Sequence, residues 1–319
     1  MARIIDSLRE KYLLKDLLSY FKFPKSTYMY WKKRFDRKNK DEAFENQIKK
    51  IRKDNPNYGY RRIHAMLRRI GLVINKKKVQ RLVQKLKLQV RNFARKSRKY
   101  YSYKATVGKV APNRIKRRFN TSVVHQKITT DTSEFKYYEK DKSGNYQIKK
   151  AYLNPFLDMF NSEIISYSIS RRPNYAAVEE ALKGSLEITK DQKEVIYHSD
   201  QGWLYQIPRY VNTLKENGIT QSMSRKGNCL DNSIMENFFS ILKQEMYNKK
   251  VFYSFEELEQ AIIEYIDYYN HRRIKEKLNF MSPVEYRLKN EQNVKFNKSS
   301  FSIEKEIINK NHASSYVCR

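Results

Sequence analysis

Three acidic residues stand where an α/β sheet can bring their side chains together. Asp131 lies within a predicted strand, Asp200 follows a short apolar strand, and Glu236 lies in the first turn of a predicted helix. Ligands of open α/β sheets bind outside strand ends, and Mg²⁺ prefers hard oxygen ligands such as carboxylates. Two such ions about 4 Å apart stabilise the attacking and leaving oxygens of a phosphodiester. The triple therefore suits metal-assisted phosphodiester chemistry.

The same three positions also have an ordinary structural interpretation. The chain has 34 acidic residues, so three of them can occupy such positions by chance. Asp131 would then be a surface acid and Asp200 a turn residue at a strand end. Glu236 would be an acid that favours the positive end of a helix dipole. Residue type alone leaves both interpretations open.

The segment after residue 121 has the pattern of a mixed α/β sheet. Runs of β-branched and aromatic residues predict three antiparallel strands and one short buried strand, over residues 128–138, 146–158, 163–169 and 194–198. Helices are predicted over residues 176–188, 205–216, 233–248 and 254–270. The last helix begins with a capping box of Ser254 and Glu257. The predicted fold class is therefore α/β, with a mixed-sheet domain and its closing helices over residues 121–290.

The first third of the chain predicts an all-α unit instead. Two sets of apolar residues recur at helical spacing, namely Ile63, Met66, Leu67 and Ile70, then Val79, Leu82, Val83 and Leu86. Gly71 and Asn75 separate the two sets, and a preceding helix over 41–53 ends at the turn signal of residues 54–59. This pattern predicts a three-helix helix-turn-helix domain over residues 41–91.

The last helix of this domain has a basic polar face, formed by Lys76, Lys77, Lys78, Arg81 and Lys85. A recognition helix needs an apolar stripe that anchors it and a basic face that enters the major groove or binds phosphates. We therefore predict that these five residues bind DNA. A basic helical hairpin without DNA recognition remains the alternative, because helical periodicity does not show that a helix enters a DNA groove.

Three further segments complete the predicted organisation. Residues 1–40 are a candidate helix-turn-helix remnant, with a turn at Phe23-Pro24-Lys25 and a following helix capped by Ser26. Residues 92–120 lose the apolar period but keep many Lys, Arg and Tyr residues, which predicts a basic linker along a phosphate backbone. Residues 291–319 form a tail of unknown role.

The net charge of +32 on 319 residues is unevenly distributed. Residues 1–120 hold 37 Lys and Arg against 8 Asp and Glu, whereas residues 121–319 hold 29 against 26. A polyanion-binding module joined to a nearly neutral domain has this pattern. A membrane surface is the weaker alternative, because membrane binding usually uses one basic amphipathic helix.

The composition excludes several other classes of protein. With 40% apolar residues the chain is not a disordered basic tail, and two cysteines are too few for a disulfide framework. No signal-peptide core and no run of about 20 apolar residues is present. We therefore expect a soluble intracellular protein.

Several motifs resemble one known family in the order in which they occur. They are TTDTSEF at 129–135, YHSDQG at 197–202, GNCLDNSIMENFF at 227–239, and YYNHRR at 268–273 followed by MSPVEY at 281–286. They closely resemble the catalytic-core motifs of insertion-sequence transposases of the orfB type, in the retroviral-integrase-like superfamily with an RNase H-like fold. NYGYRRI at 57–63 is similar to the start of that family's helix-turn-helix.

The resemblance implies a function as well as a fold. Asp131, Asp200 and Glu236 would be the catalytic residues and would bind two Mg²⁺ ions, for which Mn²⁺ can substitute. The protein would be a DNA transposase, a metal-dependent polynucleotidyl transferase that nicks DNA and joins the freed 3′-hydroxyl to a target strand.

The resemblance also implies partners and a location. The DNA partners would be double-stranded element ends and target DNA, bound by a homo-multimer. The protein of an upstream reading frame, or a frameshift fusion with it, is a further expected partner, and we found no leucine zipper in this chain. The expected location is the bacterial cytoplasm, in association with the nucleoid and not with a membrane.

Two residues and two rival functions stay open at this stage. Lys243 lies on the Glu236 stripe of its helix, where it either meets a phosphate near the metals or is simply solvated. His198 either orients the substrate or is a buried histidine satisfied by hydrogen bonds. A DNA-binding regulator would tolerate neutral residues at the three acids, and a structure-specific nuclease would cleave strands without joining them.

Overall fold

The structure is a computed structural model that describes residues 1–35, 39–90, 110–248 and 250–293. The chain divides into two compact units, Met1–Gln89 and Val90–Arg319. Most of the predicted linker, residues 91–109, and the predicted tail from residue 294 onward lie outside the described residues. No helix in the described part of the chain is long and apolar enough to cross a membrane.

Among its described residues, the first unit contains helices joined by turns and no strands. Its helices are α1 Ala2–Leu8, α2 Leu14–Tyr20, α3 Lys25–Lys32, α4 Glu42–Asp54, α5 Tyr60–Arg69 and α6 Lys76–Lys85. The prediction that Ser26 caps α3 is wrong, because the helix begins at Lys25 with Pro24 as its N-cap and no side-chain cap bond. Proline has no N–H and a fixed φ that suits the start of a helix, so the helix begins beside it.

The helix-turn-helix elements α4, α5 and α6 form where the sequence predicts them. The Asn75 side chain caps α6 by accepting a 2.8 Å hydrogen bond from the Lys77 amide, which satisfies one of the unpaired donors of the first turn. Most of the two predicted apolar stripes is buried, with Ile63 and Leu67 on α5 and Val79 on α6 fully inaccessible to solvent, whereas Ile70 at the end of the first stripe is 53% exposed. Burial of these stripes fixes which face of α6 points outward.

The second unit is built on a mixed sheet, which confirms the predicted α/β fold class. Its strands are β1 Lys127–Thr130, β2 Ser133–Lys140, β3 Tyr146–Asp158, β4 Ile164–Ser170, β5 Ile196–Ser199 and β6 Thr220–Met223. β3 pairs antiparallel with β1, β2 and β4, whereas β5 pairs parallel with β1 and β6. The strand β6 is not predicted from the sequence, because its four residues are of mixed polarity and show no alternation of apolar and polar side chains.

Helices pack on the sheet through two separate apolar clusters. The helices are α7 Tyr175–Thr189, α8 Pro208–Glu216, α9 Ser233–Leu242, α10 Phe255–His271 and α11 over residues 283–293. One cluster joins the sheet to α9 and α10, and the other joins it to α7 and α8. The predicted cap of α10 is confirmed by a 3.0 Å bond from the Glu257 amide to the Ser254 hydroxyl. The helix predicted from residue 205 begins only at Pro208.

Candidate active site

Asp131 lies at an interruption between two strands that would otherwise be continuous. The pairs Thr130–Phe156 and Ser133–Leu153 share one register, so Asp131 stands opposite Pro155, which has no N–H to donate to a ladder. One carboxylate oxygen of Asp131 accepts a 2.7 Å hydrogen bond from the Thr132 amide. The Asp131 side chain is therefore fixed directly after the end of β1.

Asp200 directly follows β5, the parallel neighbour of β1. Thr129 pairs with His198 in that ladder, so Asp131 and Asp200 each stand two residues past a matched pair at the carboxyl ends of adjacent strands. The Gly202 amide donates a 2.8 Å hydrogen bond to Oδ1 of Asp200. A Cβ atom at Gly202 would lie only 2.8 Å from the same oxygen, so any other residue there would displace the Asp200 carboxylate. We call Asp131 and Asp200 the aspartate pair.

Glu236 and Lys243 both belong to the α9 segment. Glu236 lies in the first turn of α9, as predicted, and its side chain is exposed. Lys243 begins the π-helical turn that follows α9, and its Nζ lies 4.9 Å from the centroid of the Phe135 ring. The negative charge of Glu236 raises the pKa of Asp131 and the positive charge of Lys243 lowers it. Both side chains therefore act electrostatically on the aspartate pair.

The electrostatics of the aspartate pair oppose ionisation. Burial raises the pKa of Asp131 well above its usual range, and the neighbouring charge of Asp200 raises it further. Burial likewise raises the pKa of Asp200, against the opposing effect of the Gly202 amide. Partial loss of solvation raises the pKa of Glu236 as well, although much of its side chain is exposed. Two carboxylates that share a poorly solvated site cannot both ionise cheaply without a cation.

A divalent cation fits the chemistry of this donor set. Carboxylate oxygens are hard ligands of the kind that Mg²⁺ prefers, and a cation would offset both the burial and the repulsion of the aspartate pair. Within the described ranges, however, no three His, Cys, Asp or Glu side chains are grouped closely enough to hold an ion together. Besides burial, the charge of Asp200 contributes more than the charge of Glu236 to the raised pKa of Asp131, so the aspartate pair is the more strongly coupled part of the site.

The residues beneath the aspartate pair were not singled out from the sequence. The Thr132 hydroxyl donates a 2.8 Å bond to Asn154 Oδ1 and lies 3.3 Å from the Tyr205 hydroxyl. Tyr205 is buried, and its pKa is raised by burial and by the charges of Asp131 and Asp200. These contacts are made between distant segments, so only the position of Thr132 beside Asp131 offered a local signal.

His198 is a satisfied buried histidine, the second of the two interpretations left open above. Its Nδ1 lies 2.9 Å from the Ser222 hydroxyl, and its Nε2 lies 3.0 Å from the Asp231 carbonyl oxygen. Burial lowers the pKa of His198 to about 4. The ring is therefore neutral at physiological pH and connects β5 to the loop that precedes α9.

Asp231 is a buried acid with a very different environment from the aspartate pair. Its carboxylate accepts hydrogen bonds from the Arg225 side chain at 2.9 and 3.0 Å, from Arg117 Nε at 3.0 Å and from Asn113 at 3.0 Å. The Arg225 guanidinium, foremost among these partners, holds the pKa of Asp231 well below its usual range. The last part of the predicted linker is thus folded against the core.

The predicted DNA-binding face of α6 is partly paired with acids of α4. Lys78 Nζ lies 2.6 Å and Arg81 Nη2 lies 3.1 Å from Asp41. Lys85 Nζ lies 2.7 Å from Glu45. Lys76 and Lys77, in the first turn, are exposed. The face therefore has two kinds of basic residue, three that are paired within the unit and two that point to solvent.

Comparison with known families agrees with this architecture. The family described as "HTH-like domain" matches residues 38–97, and "Integrase core domain" families match residues 122–229 and 236–290. The chain is 42% identical over 286 residues to the putative transposase InsK of insertion sequence element IS150 from Escherichia coli (strain K12), across 89% of this chain and 97% of that protein. The chain belongs to the insertion-sequence transposases with an integrase-like catalytic core.

Further similarities extend to a second bacterium and to solved structures. A transposase-like protein of Haemophilus influenzae is 48% identical over 214 residues, across 67% of this chain and 93% of that protein. The HTLV-2 integrase catalytic core in complex with magnesium is 13% identical, with a TM-score of 0.39 over 52% of this chain and 97% of that one. The Mos1 mariner transposase catalytic domain is 17% identical, with a TM-score of 0.36 over 45% and 70%.

Proposed function

We propose that this protein binds the ends of an insertion sequence and catalyses metal-dependent DNA strand cleavage and strand transfer, the steps of DNA integration and recombination. The observation that carries the proposal is the aspartate pair, two partly buried carboxylates at adjacent parallel strand ends whose pKa values are raised by loss of solvation. Family membership supplies the substrate class. The enzyme is accordingly a polynucleotidyl transferase.

In this proposal Asp131, Asp200 and Glu236 hold Mg²⁺ or Mn²⁺, with two ions in the site. When bound, the ions would lower the pKa of a water nucleophile and stabilise charge on the attacking and leaving oxygens. The Thr132 and Gly202 amides fix the two aspartates through their hydrogen bonds. Glu236 reaches the site from the exposed first turn of α9. No serine or tyrosine nucleophile is needed.

The DNA-binding roles follow the charge of the chain. Lys76 and Lys77 on α6 contact bases of the element end, while Lys78, Arg81 and Lys85 contact DNA after exchanging their acidic partners for phosphates. Lys243 contacts a phosphate near the ions. The protein acts as a homo-multimer on DNA in the bacterial cytoplasm, and an upstream-frame protein is a further partner.

The test uses the full chain and duplex oligonucleotides that carry the DNA found at the gene's flanks. Cleaved and joined products are resolved on sequencing gels with Mg²⁺ or with EDTA. We expect Asp200→Asn and Glu236→Gln to abolish both products while duplex binding stays at the wild-type level. Asp191→Asn and Glu180→Gln, two exposed acids of the same unit, are the matched controls and should remain active.

The outcomes separate the rival functions. Cleavage without joining of the donor 3′ end would identify a nuclease and contradict strand transfer. Sequence-specific duplex binding by the wild type and by Asp200→Asn, with no strand cleavage by either, would indicate a DNA-binding regulator. Parallel loss of binding and activity in Asp200→Asn would refute the catalytic assignment, because the change would then have damaged more than the site.

A further inference from the structure

A basic cavity lies beside Asp231 on the second unit. Its volume is about 290 Å³, and its lining includes Asn113, Lys116 and Arg225. The lining therefore joins the end of the predicted linker to the loop that follows β6. This surface has no role in the chemistry described above, and the sequence motifs did not indicate it.

The arginines at this cavity are held in place by a buried acid. Arg225 binds the Asp231 carboxylate through Nε and Nη2, and Arg117 binds it through Nε while its Nη2 donates to Asn228. Asp231 is inaccessible to solvent, whereas the Arg225 and Arg117 side chains are 59% and 45% exposed. One edge of each guanidinium is thus fixed inward while the rest faces solvent.

Donors remain available on the outer side. In the part of the chain that the structure describes, Nη1 of Arg225 and Nη1 of Arg117 have no hydrogen-bond acceptor, and the exposed Lys116 ammonium has no acidic partner. Two arginines bind the single Asp231 carboxylate and Lys116 lines the same cavity, so the site has an excess of positive charge. A guanidinium fork fixed by a carboxylate on one side is suited to phosphate oxygens on the other.

The cavity is connected to the active site through short covalent and hydrogen-bonded links. Asp231 precedes Glu236 by five residues, and its carbonyl oxygen contacts His198, two residues before Asp200. Arg114 also anchors the linker end, because its amide donates a 2.9 Å bond to Ser222 Oγ. A ligand in the cavity therefore contacts the loop that positions the start of α9.

We propose that the cavity lined by Asn113, Lys116 and Arg225, with Arg117 bound to Asp231 beside it, binds a backbone phosphate of the DNA on which the aspartate pair acts. The proposal rests on the proposed function and adds a second contact point to it. Asp231 is the positioning residue of this site, because it fixes both arginines without facing the ligand.

The test measures binding of a 30-base-pair duplex to the full chain by fluorescence anisotropy over a series of KCl concentrations. Lys116→Gln removes one charge from the cavity, and we expect the slope of log K against log salt to fall in magnitude by about 0.9, as for one lost phosphate contact. Lys116→Arg should restore the slope. Lys193→Gln, an exposed lysine just before β5, should leave it unchanged.

A single-stranded oligonucleotide of the same length forms the second arm and distinguishes a displaced strand from duplex as the source of the phosphate. Lys116 is exposed, so each variant should melt at the wild-type temperature. An unchanged slope in Lys116→Gln with normal duplex binding would overturn this site alone. Failure of the wild-type chain to bind either oligonucleotide would overturn the site together with the proposed function.

Discussion

Buried acids occur in two contrasting settings in the second unit. Asp231 and Glu245 are almost inaccessible, and each is held by an arginine, Glu245 by Arg273 through bonds of 2.7 and 2.8 Å. The aspartate pair is less completely buried, and the contacts that fix it come from backbone amides. The first setting satisfies a charge permanently, whereas the second leaves two carboxylates whose ionisation is opposed by burial.

This contrast separates acids that stabilise the fold from acids that are suited to bind a ligand. An arginine partner lowers the cost of a buried carboxylate in the folded chain alone. A site that must bind a cation and a substrate cannot contain that arginine, because the guanidinium would occupy the same oxygens. Replacement of an arginine-paired acid should therefore lower stability more than activity, whereas replacement of an aspartate of the pair should lower activity more than stability.

The largest loss of stability is expected at Glu245. Both Glu245 and Arg273 are at most 2% exposed, so Glu245→Gln leaves a buried guanidinium without its counter-charge. We expect the free energy of unfolding to fall by about 3–5 kcal/mol, measured by urea denaturation. Glu180→Gln, an exposed glutamate of α7, should change it little, and a loss at Glu245 no larger than that control would contradict the contrast.

A smaller loss is expected at Asp231, because its arginines are partly exposed. Asp231→Asn should lower the free energy of unfolding by about 1–3 kcal/mol, the usual range for hydrogen bonds to a charged group. The arginines lower the pKa of Asp231 from its ordinary value of 3.8, so its contribution is present above that value and is lost as the pH falls through the lowered pKa. Urea titrations at pH 7 and below pH 4 should show the difference shrinking, and a difference that grows in acid would refute it.

The effect at the aspartate pair should have the opposite sign. Asp131→Asn removes an acid whose pKa is raised in the folded chain, so without metal the variant should be at least as stable as the wild type at neutral pH. The wild type loses stability as the pH rises from the ordinary aspartate value through the raised pKa. The excess of the variant's free energy of unfolding over that of the wild type should therefore grow with pH in EDTA. A variant less stable than the wild type at pH 8 would contradict the inference that the folded site opposes ionisation of Asp131.

The smallest effect concerns Asp158, a buried acid that belongs to neither group. Its carboxylate accepts bonds of 2.9 Å from the His125 and Phe160 amides, and burial raises its pKa to about 7. Among the described residues no Lys or Arg forms an ion pair with Asp158, and His125 Nε2 lies 4.0 Å from its Oδ2, so a proton can satisfy the carboxyl group. We expect Asp158→Asn to flatten the fall of stability between about pH 4 and pH 7 without altering catalysis. An inactive variant that remains folded would place Asp158 in the site instead.

The sequence was sufficient to predict the parts of this molecule that depend on local pattern. Helical periodicity predicted α4, α5 and α6, and runs of β-branched and aromatic residues predicted most of the sheet. The motif resemblance correctly indicated the family, and it named Asp131 and Asp200 as neighbours in space. The interruption of the first strand at Asp131 depends on its pairing opposite Pro155, which no local pattern reveals.

Long-range pairing explains what the sequence could not predict. Arg117 and Asp231 are 114 residues apart, and Lys78 and Asp41 meet only because α4 packs on α6. The sequence separates the first-turn lysines of α6 from Lys85 in the last turn, but it does not show that Lys78, Arg81 and Lys85 are ion-paired.

The most direct test of the account is whether Mg²⁺ stabilises the protein through the aspartate pair. Thermal unfolding of the full chain at pH 8 would be followed with MgCl₂ and with KCl of equal ionic strength, for the wild type, Asp200→Asn and the control Asp158→Asn. At ten times the dissociation constant, binding to the folded chain alone adds about 1.4 kcal/mol. The account predicts this gain in the wild type and in Asp158→Asn but not in Asp200→Asn. An equal gain in all three proteins, or none in the wild type, would contradict it.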